Sequence, residues 1–167
     1  MSDAGQFPYS CSVNKKNGDV AVGNIESTTG GAGSVTVYPG ASGAGINSPA
    51  IKFFVNFIGY DGGKLFVDGG SGSGAFALKT LRQGHLRPVT ITGAALNFAG
   101  GVQVADGSVT VGDQSGPSGN PVIYQMSKSG AVTGSTTLTS GACVQYTIKG
   151  SSVVCPNNAG RSVQVYA

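Results

Sequence analysis

Three cysteines, one histidine, six aspartates and one glutamate are the residues with which this 167-residue chain could do chemistry. A Ser/His/Asp triad would have to use His85, with Asp68, Asp106 or Asp113 orienting its ring. His85 sits in the basic stretch "LRQGHLRP", a context better suited to a surface or interface loop than to a general base. A hydrolase elbow needs a glycine two residues before and two residues after the nucleophile. Ser71 has Ser73 where the second glycine belongs, and Ser73 has Ser71 where the first belongs. Gly63-Lys64 is followed by Leu65 rather than by the hydroxyl residue that would hold magnesium in a phosphate loop. "GSGSGA" at 70–75 approaches a dinucleotide fingerprint only if alanine replaces its last glycine, and no helix-forming stretch follows to receive a pyrophosphate.

With a single glutamate, Glu26, the paired carboxylates of glycoside hydrolysis are scarce. Asp61 and Asp68 flank "GGKLFV" and Asp106 precedes Gly-Ser, so these aspartates look like turn formers rather than closely spaced calcium ligands. The expectation is therefore a protein that is not an enzyme, with no catalytic residues, no cofactor and no metal.

The cysteines offer one specific geometry. In "ACVQYTIKGSSVVC", placing Cys143 opposite Cys155 on antiparallel strands centres the turn on Lys149 and puts Gly150 where a short loop needs a left-handed residue. A disulfide between them and two reduced, half-buried thiols are both compatible with the sequence. Cys11 has no partner, and no Cys/His spacing suits zinc.

The elements that must carry these residues are short. With 29 glycines, 10% charged residues and many Val, Thr, Ser and Ala, the chain lacks the Glu, Lys, Gln and Leu of helix surfaces. Its 40% hydrophobic content is enough for a core. Apolar or alternating runs at 19–26, 34–38, 50–59, 64–68, 75–81, 87–98, 101–111, 121–126, 131–139, 142–148 and 161–166 predict strands. "AFALKTLRQG" could form a helix or a strand, and strand is favoured. "YDGGKLF" predicts a hairpin turn and "DGGSGSG" an open loop. No internal repeat of constant period stands out. The expected fold is all-β, an antiparallel sandwich of about 8–11 short strands with little or no helix, in one domain over 1–167.

A net charge of +3 spread along the chain does not form a nucleic-acid footprint. "IKFFVNFIGY" is too short and too interrupted to span a bilayer, and "MSDAGQFPYSCS" lacks the pattern of a signal peptide. Phe53, Phe54, Phe57, Tyr60 and Phe66 cluster on one predicted hairpin. Core packing accounts for them better than a sugar platform, for which an exposed Phe54 or Tyr60 would be needed.

The "MSDAGQF" start, strands such as "GGVQVADGSVTVGDQSG" and the absence of catalytic constellations resemble the small β-sandwich coat and decoration proteins of bacteriophage virions. The resemblance implies a jelly-roll-like sandwich that acts as a non-enzymatic structural protein through contacts with its own copies and a major capsid protein. It would be found in the virion after synthesis in the host cytoplasm, with no nucleic-acid or membrane partner. Arg82, His85 and Arg87 are candidate interface residues. An extracellular fibre or pilus subunit, pairing strands such as "AGRSVQVYA" between neighbours, and a carbohydrate-binding module are the alternatives.

Overall fold

The computed structural model describes residues 5–49, 51–70, 74–105, 107–139, 143–157 and 160–166. These form two compact units, 1–89 and 90–167, each built from two small antiparallel sheets.

In the first unit, β1 (Gln6–Val13), β2 (Val20–Ser27), β3 (Ser34–Tyr38) and β4 (Ile46–Asn47) form one sheet. β5 (Phe54–Asp61), β6 (Lys64–Gly70), β7 (Phe76–Arg82) and β8 (His85–Pro88) form the other. The core between them is aliphatic: Ala21 and Val35 from the first sheet meet Val55, Ile58, Leu65, Val67 and Leu81 from the second. A side chain at Gly23 would lie 2.7 Å from Ser10 Oγ and 3.1 Å from Val55, so the missing Cβ lets β5 approach β2.

A polar relay crosses the first sheet. Asn24 Nδ2 donates to Ser34 Oγ (3.1 Å) and Thr36 Oγ1 (3.2 Å), Ser34 Oγ donates to Gln6, and Thr36 Oγ1 donates to Asn47 (2.9 Å). One side chain from each of β1, β2 and β4 and two from β3 are thereby tied across the strands.

In the second unit, β9 (Ala99–Ala105), β10 (Ser108–Asp113), β11 (Val122–Met126) and β12 (Val132–Thr137) form a four-stranded sheet. β13 (Thr147–Lys149), β14 (Ser152–Asn157) and β15 (Ser162–Tyr166) form a three-stranded one. Gln103 links the two, accepting from Ile148 N at 3.0 Å and donating to the carbonyl of Tyr146.

This arrangement replaces the expected jelly-roll-like sandwich. In every sheet each strand pairs only with its neighbours in sequence, whereas a jelly roll needs Greek-key connections that carry strands past their neighbours. Short turns explain the difference, because two-residue connections force consecutive strands to pair. Gly62-Gly63 joins β5 to β6, Gln83-Gly84 joins β7 to β8, and Gly150-Ser151 joins β13 to β14.

The strand number also exceeds the expected range. The run 101–111 is two strands divided after Ala105, with Gly107 at φ 80; Asp106 itself lies outside the described residues. β1 escaped notice because Pro8 interrupts its alternation. The structure accommodates this proline on an edge strand with register shifts on both sides. Most of the run 87–98 is irregular. "AFALKTLRQG" is strand β7 and its turn, and the "YDGGKLF" hairpin has the predicted position. Of "DGGSGSG", 68–70 belong to β6 and 71–73, with Ser71 and Ser73, lie outside the described residues.

Candidate functional site

A cleft of about 440 Å³ opens in the first unit where three hairpin ends come together. Val37, Ile46, Leu65 and Leu81 supply its apolar lining. Asn14, Asn17 and Asp19 from the β1–β2 connection, Tyr60 and Gly63 from the β5–β6 hairpin, and Gln83-Gly84 from the β7–β8 turn complete it.

The β1–β2 connection is held by its own hydrogen bonds. Asn14 N donates to Asp19 O and Gly18 N to Asn14 O, both at 2.8 Å, and Gly18 takes φ 78. The Asp19 carboxylate accepts from Asn17 Nδ2 at 2.8 Å and from Gly40 N at 3.0 Å. Burial raises the pKa of Tyr60, and the nearby Asp19 charge raises it further. The phenol therefore stays protonated as a neutral donor at the cleft wall. Gln83 and Gly84 both have positive φ, 48 and 77, as a two-residue turn with the twist of its strands requires. Gln83 bears the cost of a left-handed conformation with a side chain attached.

A second cleft, of about 510 Å³, lies in the other unit. Ser108, Thr110, Gln125, Ser135, Thr136 and Ser151 contribute hydroxyl and amide groups, with Ile123, Ile148 and Val153 among them, and among the described residues no charged side chain lines it. The first cleft combines an apolar floor with a fixed carboxylate and a phenol, which equips it better for selective recognition.

Arg82 and His85 are directly paired across β7 and β8, immediately outside Gln83-Gly84, and Arg87 pairs with Thr80 further along. All three side chains are exposed. His85 and Asp68 are not brought together. Asp68 is fully buried opposite Leu78, four positions along β7 from Arg82, the partner of His85. Asp113 is buried in the second unit and accepts from Asn97 N, Phe98 N and Ser115 N, each at 3.0 Å. Among the described residues no group of three His, Cys, Asp or Glu side chains could hold a metal ion.

Phe53, Phe57 and Phe66 are core residues, while Phe54 and Tyr60 are half-buried. Cys143 and Cys155 form a disulfide with their Cα atoms 5.8 Å apart. The register differs from the symmetrical one: Thr147 pairs with Val154 and Lys149 with Ser152, so the turn is Gly150-Ser151 and the cysteines are not cross-strand partners. The bridge still closes because residues 143–146 precede β13 and are not extended along it. Cys11 is free and exposed.

Sequence reasoning missed Asn14, Asn17, Asp19 and Gln83. The available signal was the dipeptide Asn17-Gly18, a strong turn former, together with the other glycine turns whose strands bring them to the same end.

No protein-family model matches the sequence, and no curated protein matches it. Solved structures do match. The nidogen/laminin complex aligns over 99% of this chain with a TM-score of 0.73 at 12% identity. The WD40 β-propeller domain of Doa1 aligns over 99% with a TM-score of 0.66 at 12% identity. YCF48 bound to D1 peptide aligns over 98% with a TM-score of 0.66 at 10% identity. The fold is that of a β-propeller. Its four sheets are blade-type meanders, four-stranded in three cases and three-stranded in the last. The chain spans 66%, 53% and 50% of those three chains.

The propeller fold overturns the resemblance to bacteriophage coat and decoration proteins. That resemblance rested on the "MSDAGQF" start, on strand texture and on the absence of catalytic constellations, and a meander blade shares that texture with a sandwich because both need short strands and tight turns. The virion structural function inferred from it falls with it, as do the jelly-roll and capsid assignments.

Proposed function

We propose that this protein is a non-enzymatic binding module that holds a polypeptide partner in the cleft of its first unit. The observation that carries this reading is the cleft itself: an aliphatic floor of Val37, Ile46, Leu65 and Leu81, with rim groups that hydrogen bonds and turn geometry hold in place. Such a site can bury one apolar side chain while its rim amides, Asp19 and Tyr60 meet the adjoining backbone. YCF48, which shares the fold, has been solved with a peptide bound, and this supports a polypeptide as the ligand class.

Panning a random peptide library against the folded protein tests the reading. Ile46 is 63% exposed, and a Cβ at Gly63 meets no atom within 4 Å. Ile46→Asp and Gly63→Trp therefore alter the cleft without disturbing the core. Each is expected to weaken an enriched peptide by roughly tenfold or more, the loss of about one anchor contact. Enrichment of no peptide, or unchanged affinity in both variants, would overturn it.

A further inference from the structure

Each of the three hairpin ends at the cleft, β1–β2, β5–β6 and β7–β8, carries a lysine or arginine at or beside its turn. Lys15 and Lys16 lie between the lining residues Asn14 and Asn17, Lys64 follows Gly63, and Arg82 and His85 bracket Gln83-Gly84. Lys15, Lys16, Arg82 and His85 are exposed, and none of their side chains forms an ion pair or hydrogen bond among the described residues. Lys64 lies over the Phe66 ring at 4.8 Å. Two carboxylates oppose these groups. Asp61 is the register partner of Lys64 across the β5–β6 turn, and Asp19 is already engaged by Asn17 and the Gly40 N–H. The mouth of the cleft is therefore electropositive while its floor is aliphatic.

We propose that this cleft selects an acidic polypeptide segment bearing one apolar side chain, with the apolar group seated on Val37, Leu65 and Leu81 and the flanking carboxylates facing Lys15, Lys16 and Arg82. The proposal rests on the cleft reading above and adds the chemistry of the partner. Unpaired exposed cations at the rim contribute mainly to association rate and partner choice, because solvent and salt screen them. A nucleic acid would meet the same charges, but Tyr60 is the only aromatic lining the cleft, and a stacking platform for successive bases is missing among the described residues.

Fluorescence anisotropy with three labelled peptides provides the test: leucine flanked by Asp and Glu, by Ser and Gln, or by Lys. A labelled oligouridylate serves as the nucleic-acid probe. At 50 mM salt the acidic peptide is expected to bind roughly tenfold tighter than the neutral one and the basic peptide weakest, with the differences shrinking at 0.5 M salt. The double variant Lys16→Glu, Arg82→Glu, altered only at exposed positions, should lose the acidic preference and keep the affinity for the neutral peptide.

Equal binding of acidic and neutral peptides, still abolished by Ile46→Asp, would overturn the charge selection and leave the cleft reading standing. No binding of any peptide would overturn both. Tighter binding of the oligouridylate than of the acidic peptide would overturn the choice of a polypeptide.

Discussion

Asp68 in the first unit and Asp113 in the second occupy comparable positions with different consequences. Each is buried beside a break in strand register and accepts from backbone N–H groups outside the ladder, Phe57 within the β5 irregularity for Asp68 and residues flanking β9 and β10 for Asp113. Three backbone N–H groups converge on Asp113. Among the described residues Asp68 receives one, from Phe57 at 2.8 Å, and its Oδ2 has no partner. Burial pushes the Asp68 carboxyl well above the usual carboxylate range, and the single Phe57 N–H lowers it only in part. The two buried carboxylates thus differ in how many donors the local backbone turns towards them.

The units also differ in reinforcement. The first has two four-stranded sheets and a relay of hydrogen bonds. The second has a three-stranded sheet joined by a disulfide, packed with Ile123, Leu138 and Tyr146.

Asp113→Ala should break the comparison most severely. It strands three backbone donors, and a loss of about 2–4 kcal/mol is expected in denaturant unfolding; a loss smaller than that of Asp68→Ala would void the contrast. Opening the Cys143–Cys155 bridge, which closes a separation of 12 residues, should cost about 3 kcal/mol. Hydrogen exchange with and without reductant would localise the change, and faster exchange in the first unit alone would contradict the assignment.

Asp68→Asn sharpens the contrast through pH. A carboxyl whose folded pKa is raised binds its proton more tightly in the folded state. Its contribution is fully present below the unfolded value, near 4, and is lost as pH rises through the folded value. Stability should therefore decline from about pH 4 upward in the parent protein and decline less in Asp68→Asn, as followed by thermal unfolding across pH; parallel profiles would refute the role given to Asp68. The smallest effect is expected from Gln83→Gly, which relieves a positive φ and should stabilise by about 1 kcal/mol. A measurable loss would mean that the Gln83 side chain contributes more than its backbone conformation costs.

Parts of both regions were legible in the sequence. Alternation and β-branched residues predict β2, β3 and β5–β7 within a few residues, because a strand buried on one face needs that pattern. The Asp61–Lys64 turn follows from turn chemistry, and Gly150 is left-handed as expected although the register that placed it in the turn is not the one formed. The site was less legible. Arg82, His85 and Arg87 are only candidate interface residues on sequence, and nothing local says that Asn14, Asp19 and Gln83 lie around one cleft, since their hairpins are dozens of residues apart. The pairing of the cysteine segment went astray because the expected symmetry assumed extended backbone from Cys143 onward, whereas β13 begins only at Thr147.

By itself the sequence determined that this is a chain of short strands and tight glycine turns, because backbone sterics and side-chain alternation act over a few residues. Only the tertiary structure decided that those strands form separate meander blades instead of the layers of a sandwich. It also decided which turns share a cleft and which buried aspartate finds its donors. Those outcomes depend on contacts between segments far apart in the chain, and local composition carries the same signal for either packing.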